Sequence, residues 1–334
     1  MLRKGFSISL LACLRAALRC SSLGSILNSH RKAHTYFTLV DACYRLKIKP
    51  GKVLPATLRR MARQRLGQHF LADAGWRERI ARAIGVAGPS LAASTAKEKA
   101  DACWIEIGAG HGEMTEILAA TGAPVYAIEL DASLLEKLNR LVKRFPNLTV
   151  APGNVLETDL AALAAGRRVR VYGNLPYYIT SPILHHLFTF AGLIDEIHIV
   201  IQNEVALRLT AKPGTKAYGY LSVVAQLYTR PELVLRIPRG AFRPPPQVSS
   251  ALVTLRLPGE RSQLALRDEV SFLNFVKLCF SQKRKTLVNN LRIVASPDAV
   301  KKALVALSLR PEFRAEQLSV SQLVSLQSSL NAGV

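Results

Sequence analysis

From about residue 100 onward, short apolar runs rich in β-branched residues alternate with stretches of helical spacing. Strands are predicted at 102–107, 125–129, 148–151, 169–172 and 197–201, with helical patterns at 113–120, 131–144 and 182–190 between them. Such alternation marks an α/β fold, a parallel sheet covered by helices. Two later extended runs, 233–237 and 250–255, would complete a seven-stranded sheet. Beyond Pro258 the period changes. Phe272, Phe275, Val276, Cys279 and Phe280 recur at i, i+3, i+4, i+7 and i+8, the apolar face of a helix. The pattern predicts a sheet domain over 61–258 and a small all-helical domain over 259–334, with residues 1–60 as an extension of different character.

Composition separates that extension. The chain has 334 residues, 49% of them hydrophobic, enough for more than one domain. Its 45 Lys+Arg against 23 Asp+Glu give a net charge of +22. Such a field favours polyanions and puts nucleic acid first among partners, although charge alone suits a merely basic enzyme equally well. Residues 1–60 hold 12 of the basic residues and one acid, Asp41. This Arg-rich, Ser-containing stretch fits an organellar transit peptide. Gly5 to Leu14 after Arg3-Lys4 also resembles the apolar part of a signal peptide, and a start at Met61 would remove the extension altogether. Cys13, Cys20, Cys43, Cys103 and Cys279 form no Cys-x-x-Cys pair, and His185-His186 is the only adjacent histidine pair. Neither a metal nor a disulfide framework is expected. No apolar run approaches the ~20 residues of a membrane span. A soluble cytoplasmic chain is expected, or a mitochondrial one if the extension is a transit peptide.

The first strand runs into Glu106-Ile107-Gly108-Ala109-Gly110-His111-Gly112, a glycine-rich turn between strand and helix, where open α/β sheets bind nucleotides. The second strand ends on Glu129, whose carboxylate is placed to accept from ribose hydroxyls. A nicotinamide dinucleotide would call for a third glycine five residues after Gly108, but that position is Glu113. An acid beside a diphosphate is repelled, whereas S-adenosylmethionine carries a sulfonium and an ammonium and no phosphate. The acids Glu106, Glu113 and Glu129 therefore favour S-adenosylmethionine, read against ordinary strand-end and helix-start acids.

The fourth strand leads into Asn174-Leu175-Pro176-Tyr177-Tyr178. An adenine amino group is a poor nucleophile because its lone pair is delocalised into the ring. Two acceptors, the Asn174 side-chain oxygen and the Leu175 carbonyl, would take its two protons and turn the lone pair towards a methyl donor. Pro176 stiffens the turn, and Tyr177 is a platform on which an extruded base can stack. The plain alternative is a strand-ending turn with a core tyrosine.

Together these segments resemble a known family, the small-subunit ribosomal RNA adenine N6,N6-dimethyltransferases, or kasugamycin-resistance methyltransferases. The likeness covers nearly all of residues 62–330. It rests on Gly67-Gln68-His69-Phe70-Leu71, Glu106 to Gly110, Asn174 to Tyr178, Lys216 to Gly219 with Leu221 to Val223, Phe242 to Val248, and Phe280 to Thr286. It implies a Rossmann-like methyltransferase sheet with a small C-terminal helical domain that binds RNA. The implied activity is dimethylation of two adjacent adenosines in a loop near the 3′ end of small-subunit rRNA during ribosome biogenesis, by a monomer acting on an immature ribosomal particle. Carried over by position, the cofactor residues are His69, Leu71, Gly108, Gly110, Glu129, Asn154 and Asn174. This chain has His69 where the family commonly has Asn, and Asn154 where it commonly has Asp. An amide at 154 still accepts a hydrogen bond, without the charge assistance of a carboxylate. Phe242 is read either as the second wall of the target-base site or as a core plug. Lys283, Arg284 and Lys285 are candidates for phosphate contacts, read against a solvated face. Two other functions are compatible: a large-subunit adenine dimethyltransferase conferring antibiotic resistance, and a non-catalytic ribosome-assembly or transcription factor on the same fold.

Overall fold

The computed structural model describes residues 69–88, 101–264, 266 and 268–332, all within one compact unit, Leu66–Val334. The basic extension, Met61 as a start, and the Gly67-Gln68 part of the first motif lie outside the described residues.

The elements run β1 (Phe70–Leu71), α1 (Ala74–Ala83), β2 (Ala102–Ile107), α2 (Glu113–Ala119), β3 (Val125–Glu129), α3 (Leu135–Val142), β4 (Leu148–Pro152), α4 (Leu160–Ala164), β5 (Arg168–Asn174), α5 (Thr180–Thr189) and β6 (Ile194–Gln202). They continue with α6 (Asn203–Leu209), α7 (Tyr220–Tyr228), β7 (Arg230–Ile237), β8 (Phe242–Arg243), β9 (Ser250–Arg256), α8 (Glu269–Cys279), α9 (Leu287–Asn290), α10 (Pro297–Ala306) and α11 (Val320–Ala332). Seven strands form one sheet in the order β4-β3-β2-β5-β6-β9-β7. The expectation of a parallel sheet needs one correction, because β9 runs antiparallel to both β6 and β7. The chain reaches it from β7 through residues 238–249, which hold β8 and no α-helix, so there is no helical crossover of the kind that sets a neighbouring strand parallel.

Side-chain alternation sorts the strands onto two cores. Cys103, Ile105 and Ile107 of β2 face one, and Trp104 faces the other with Val125, Ala127 and Tyr172. The first core extends without a break into the C-terminal helices, where Phe272, Phe275 and Val276 of α8 join Val224 of α7 and Leu323 of α11. The helical spacing read after Pro258 is therefore real, and its apolar face is buried among the helices α7, α9 and α11. The helix expected over 131–144 is shorter, because the Asp131 side chain accepts from the Ser133 N–H at 2.9 Å and makes a turn before α3 begins. Helices α1, α6 and α7 and the strand pair β1–β8 were not anticipated.

Candidate active site

The ends of β2, β3, β4 and β5 lie side by side, so the glycine loop, Glu129, Asn154 and Asn174 occupy one edge of the sheet. In the loop, Gly108 has φ +70° and nothing within 4 Å of the position a Cβ would take, which leaves its backbone open to a ligand. Gly110, at φ +61°, has the Phe70 ring 3.2 Å from that position. Phe70 also stacks on His111 with ring centroids 4.4 Å apart. The short strand β1 thus lies over the glycine loop, with the His69 and Leu71 of the predicted set on either side of Phe70.

Glu129 is 4% exposed and its carboxylate is already oriented. Oε2 accepts from the Gly110 N–H and Oε1 from the Asp131 N–H, both at 2.8 Å. Each oxygen keeps a further lone pair for a ribose hydroxyl. Glu106 differs from the expected acidic rim. It is 2% exposed and accepts from the Thr115 hydroxyl, and burial, aided by Glu129 and Glu113, pushes its carboxyl up to about 8. It is therefore largely neutral near pH 7, which leaves Glu129 and Glu113 as the acids of this rim placed to meet a sulfonium. No phosphate-binding cation stands in the loop itself, and the residues present fit the cationic cofactor.

Asn154 follows β4 beside Glu129, whose carbonyl accepts from the Gly153 N–H at 2.9 Å. The Asn154 oxygen accepts from the Leu156 N–H at 3.1 Å, and its amide nitrogen donates to Glu157 at 3.2 Å. Both ends of the amide are therefore engaged with the residues that follow it, its acceptor with a backbone N–H and its donor with Glu157, which is unfavourable for meeting an adenine amine.

The target-base turn leaves β5 at Asn174. Gly173 lets this strand close on β2, since a Cβ there would lie 3.2 Å from the Ile107 carbonyl and 2.7 Å from the Leu175 side chain. The Asn174 amide nitrogen donates to the His69 carbonyl at 2.8 Å, which sets the amide so that its oxygen faces away from residue 69. His69 Nδ1 bonds the Pro244 carbonyl at 2.8 Å, and its ring lies 5.6 Å from that of Tyr177. The Leu175 side chain is buried, which anchors the turn that Pro176 stiffens. Tyr177 reaches the Ser250 hydroxyl at 2.8 Å, and burial holds its phenol above the usual range. The structure brings Asn174, Tyr177 and His69 together.

Two expectations change. Phe242 is 0% exposed, pairs with Leu71 in the β1–β8 ladder and belongs to the second core. It is the core plug, and its ring has no exposed face to offer a base. Lys283 is not simply directed at solvent, because its ammonium donates to the Lys216 carbonyl and lies 3.8 Å from Glu316. Arg284 and Lys285 are exposed. Ser250, Phe70 and Thr115 were missed, since each acts through a partner distant in sequence and no local pattern announces it.

Among the described residues no cluster of three His, Cys, Asp or Glu is placed to hold a metal ion, and no helix is long and apolar enough to cross a membrane.

An open α/β sheet with a glycine loop after its first long strand, a buried carboxylate oriented by backbone N–H groups after the next and an Asn-Leu-Pro-Tyr turn beside them is the arrangement of an S-adenosylmethionine-dependent methyltransferase. The model of the ribosomal RNA adenine dimethylase family matches residues 59–332, and the chain belongs to that family. It is 37% identical over 282 residues to the ribosomal RNA small subunit methyltransferase A of Koribacter versatilis, covering 80% of this chain and 94% of the relative. It is 40% identical over 268 residues to the enzyme of the same name from Acidobacterium capsulatum, covering 80% and 90%. Among solved structures it is similar to a dimethyladenosine transferase from Plasmodium falciparum, with TM-score 0.62, 25% identity and coverage of 79% and 98%. The 23S rRNA methyltransferase ErmE matches with TM-score 0.59, 25% identity and coverage of 78% and 99%.

Proposed function

We propose that this enzyme dimethylates the N6 amine of two adjacent adenosines in a loop near the 3′ end of small-subunit rRNA, during ribosome biogenesis. The observation that carries the reading is the Asn174-to-Tyr178 turn at the end of β5, next to the glycine loop at the end of β2. S-adenosylmethionine, when bound, supplies the electrophilic methyl group. Glu129 would hold its ribose, Gly108 and Gly110 would admit it to the backbone, and His69, Leu71 and Asn154 would border it. The Asn174 oxygen and the Leu175 carbonyl accept hydrogen bonds from the two N–H groups of the adenine amine, so that its lone pair faces the donor. Tyr177 stacks on the extruded base, a contact worth ~1 to 3 kcal/mol. No strong general base is required, because the amine turns acidic on transfer and releases its proton to water.

The small-subunit target is favoured over the large-subunit one by the 37–40% identity to enzymes named for the small subunit, against 25% to the large-subunit enzyme. Retention of Glu129, Asn174 and Tyr177 in one constellation argues against a non-catalytic assembly factor. Cofactor loop and target-base turn come from a single chain, which supports action as a monomer on an immature particle. Cytoplasmic action is favoured by the bacterial relatives; a mitochondrial setting would require the extension to be a transit peptide. Residues 259–334 form the RNA-gripping part in this reading, with Arg284 and Lys285 on phosphates. The test is primer extension on small-subunit rRNA from cells with and without the gene. N6,N6-dimethylation blocks the Watson–Crick edge, so a stop near the 3′ end must vanish without the gene and return with it. An unchanged stop pattern refutes the assignment.

A further inference from the structure

We infer that Ser250 is a positioning residue for the target base, holding the Tyr177 ring at the angle from which it stacks. The inference rests on the proposed role of Tyr177. That tyrosine lies in the turn following β5, outside any ladder, so its own backbone fixes only one end of the side chain. Its phenol oxygen lies 2.8 Å from the Ser250 hydroxyl. Ser250 is 0% exposed at the first position of β9, in register with Gln202 of β6 and Ile237 of β7. A side chain there is held by strands on both sides. Tied at its Cα and at its phenol oxygen, the Tyr177 ring loses rotational freedom before the base arrives, so less ordering is left to the step that aligns the amine.

The same segment also refers the ring to the cofactor. Between Phe242, which pairs with Leu71 in the strand over the glycine loop, and Ser250 lie only seven residues. One of these is Pro244, whose carbonyl meets His69. Tyr177 is therefore anchored to the stretch of chain that also borders the cofactor loop, and ring and methyl donor share one frame. A phenol kept as O–H, as its burial dictates, makes this tether at any pH near neutrality.

The test uses the full-length enzyme with small-subunit particles from cells lacking the gene. The variants are Ser250→Ala, Tyr177→Phe, their combination, Ser250→Thr and Tyr177→Ala. Net hydrogen-bond energies of about 1 kcal/mol predict a loss of about fivefold in kcat for Ser250→Ala and for Tyr177→Phe. Affinity for S-adenosylmethionine, measured calorimetrically, stays the same in both. Because each single change removes the same bond, the double variant should be no slower than the slower single one. Ser250→Thr, which keeps the hydroxyl, should recover most of the rate. If Ser250→Ala folds poorly, Tyr177→Phe still probes the bond from its less buried end. Losses that multiply in the double variant overturn the inference, as does full activity in Tyr177→Phe while Tyr177→Ala is inactive. An active Tyr177→Ala would overturn the stacking role itself, and the inference with it.

Discussion

Deleting the Asn174 amide removes two contacts of opposite kind, the acceptor proposed for the target amine and the donor that meets the His69 carbonyl. Asn174→Ala should therefore nearly abolish methyl transfer, with a much smaller loss of cofactor affinity through the freed His69 carbonyl; turnover above about a tenth of the unmodified enzyme would remove Asn174 from the chemistry. Glu129→Ala should do more than free a ribose, since it also releases the Gly110 and Asp131 N–H groups that hold the glycine loop. With charge-assisted bonds worth about 1.5 to 3 kcal/mol each, cofactor affinity should fall at least tenfold, and calorimetry would show it. Asn154→Asp runs the other way. A carboxylate keeps the bond to the Leu156 N–H but turns its second oxygen on Glu157, so the repulsion must be removed as well, and Asn154→Asp combined with Glu157→Gln should bind the cofactor several-fold more tightly than the unmodified chain. Equal affinity would place the adenine away from residue 154. At this scale the sequence conveyed, through spacing, which residues are candidates for the chemistry, but not how their polar atoms are turned. The orientations of Asn154 and Asn174 depend on bonds to groups that no local pattern reveals.

Strands β2 and β3 were readable to the residue, because each is a short β-branched run ending in a turn with its own chemistry, Gly108 or Glu129. The β1–β8 pair was not. It joins Phe70–Leu71 to Phe242–Arg243, two-residue strands that show no period and find each other only in the folded chain. That pairing also decides the case of Phe242, whose motif fits a base wall and a core plug equally until its neighbour Leu71 is known. The link from β9 into the helices has a tight point at Gly259, where a Cβ would lie 2.2 Å from the Thr229 backbone nitrogen and 2.5 Å from the Gln226 carbonyl. Backbone cannot move aside as a side chain can. Gly259→Ala should cost about 1 to 3 kcal/mol of stability, read as a lowered denaturation midpoint, and an unchanged midpoint would show that this junction yields.

At the scale of the whole molecule, residues 1–60 carry half of the net charge of +22, and the family match begins only at residue 59, so nearly all of that extension lies outside the shared sequence. A chain starting at Met61 is expected to fold and methylate like the full chain; its inactivity would assign the extension a working part. Charge on the family part has a different test. Lys283 is occupied with Lys216 and Glu316, so removing it would disturb the loop before α7 as well as any RNA contact. The informative variant is Arg284→Ala with Lys285→Ala. Log affinity for RNA against log salt should flatten by about one unit for each phosphate that is no longer neutralised, with kcat on saturating substrate nearly unchanged. An unaltered slope would make the pair a solvated face.

The buried carboxyl of Glu106 is expected to make cofactor loading a proton-releasing event. Held up to about 8 by its burial and by Glu129 and Glu113, and facing Thr115 and Tyr172, it enters the encounter largely protonated at neutral pH. A sulfonium arriving at the end of β2 stabilises the ionised form, so a fraction of a proton should leave for each cofactor bound, and affinity should climb with pH until about pH 8 and then level off. Titrations in buffers of different ionisation heat would measure that fraction directly, and Glu106→Gln should reduce it to zero. The enzyme would then sense, through one inaccessible oxygen, whether the sulfur of its methyl donor is still charged: the spent thioether keeps its ammonium but has lost the sulfonium, so it draws the proton away less and is held more weakly.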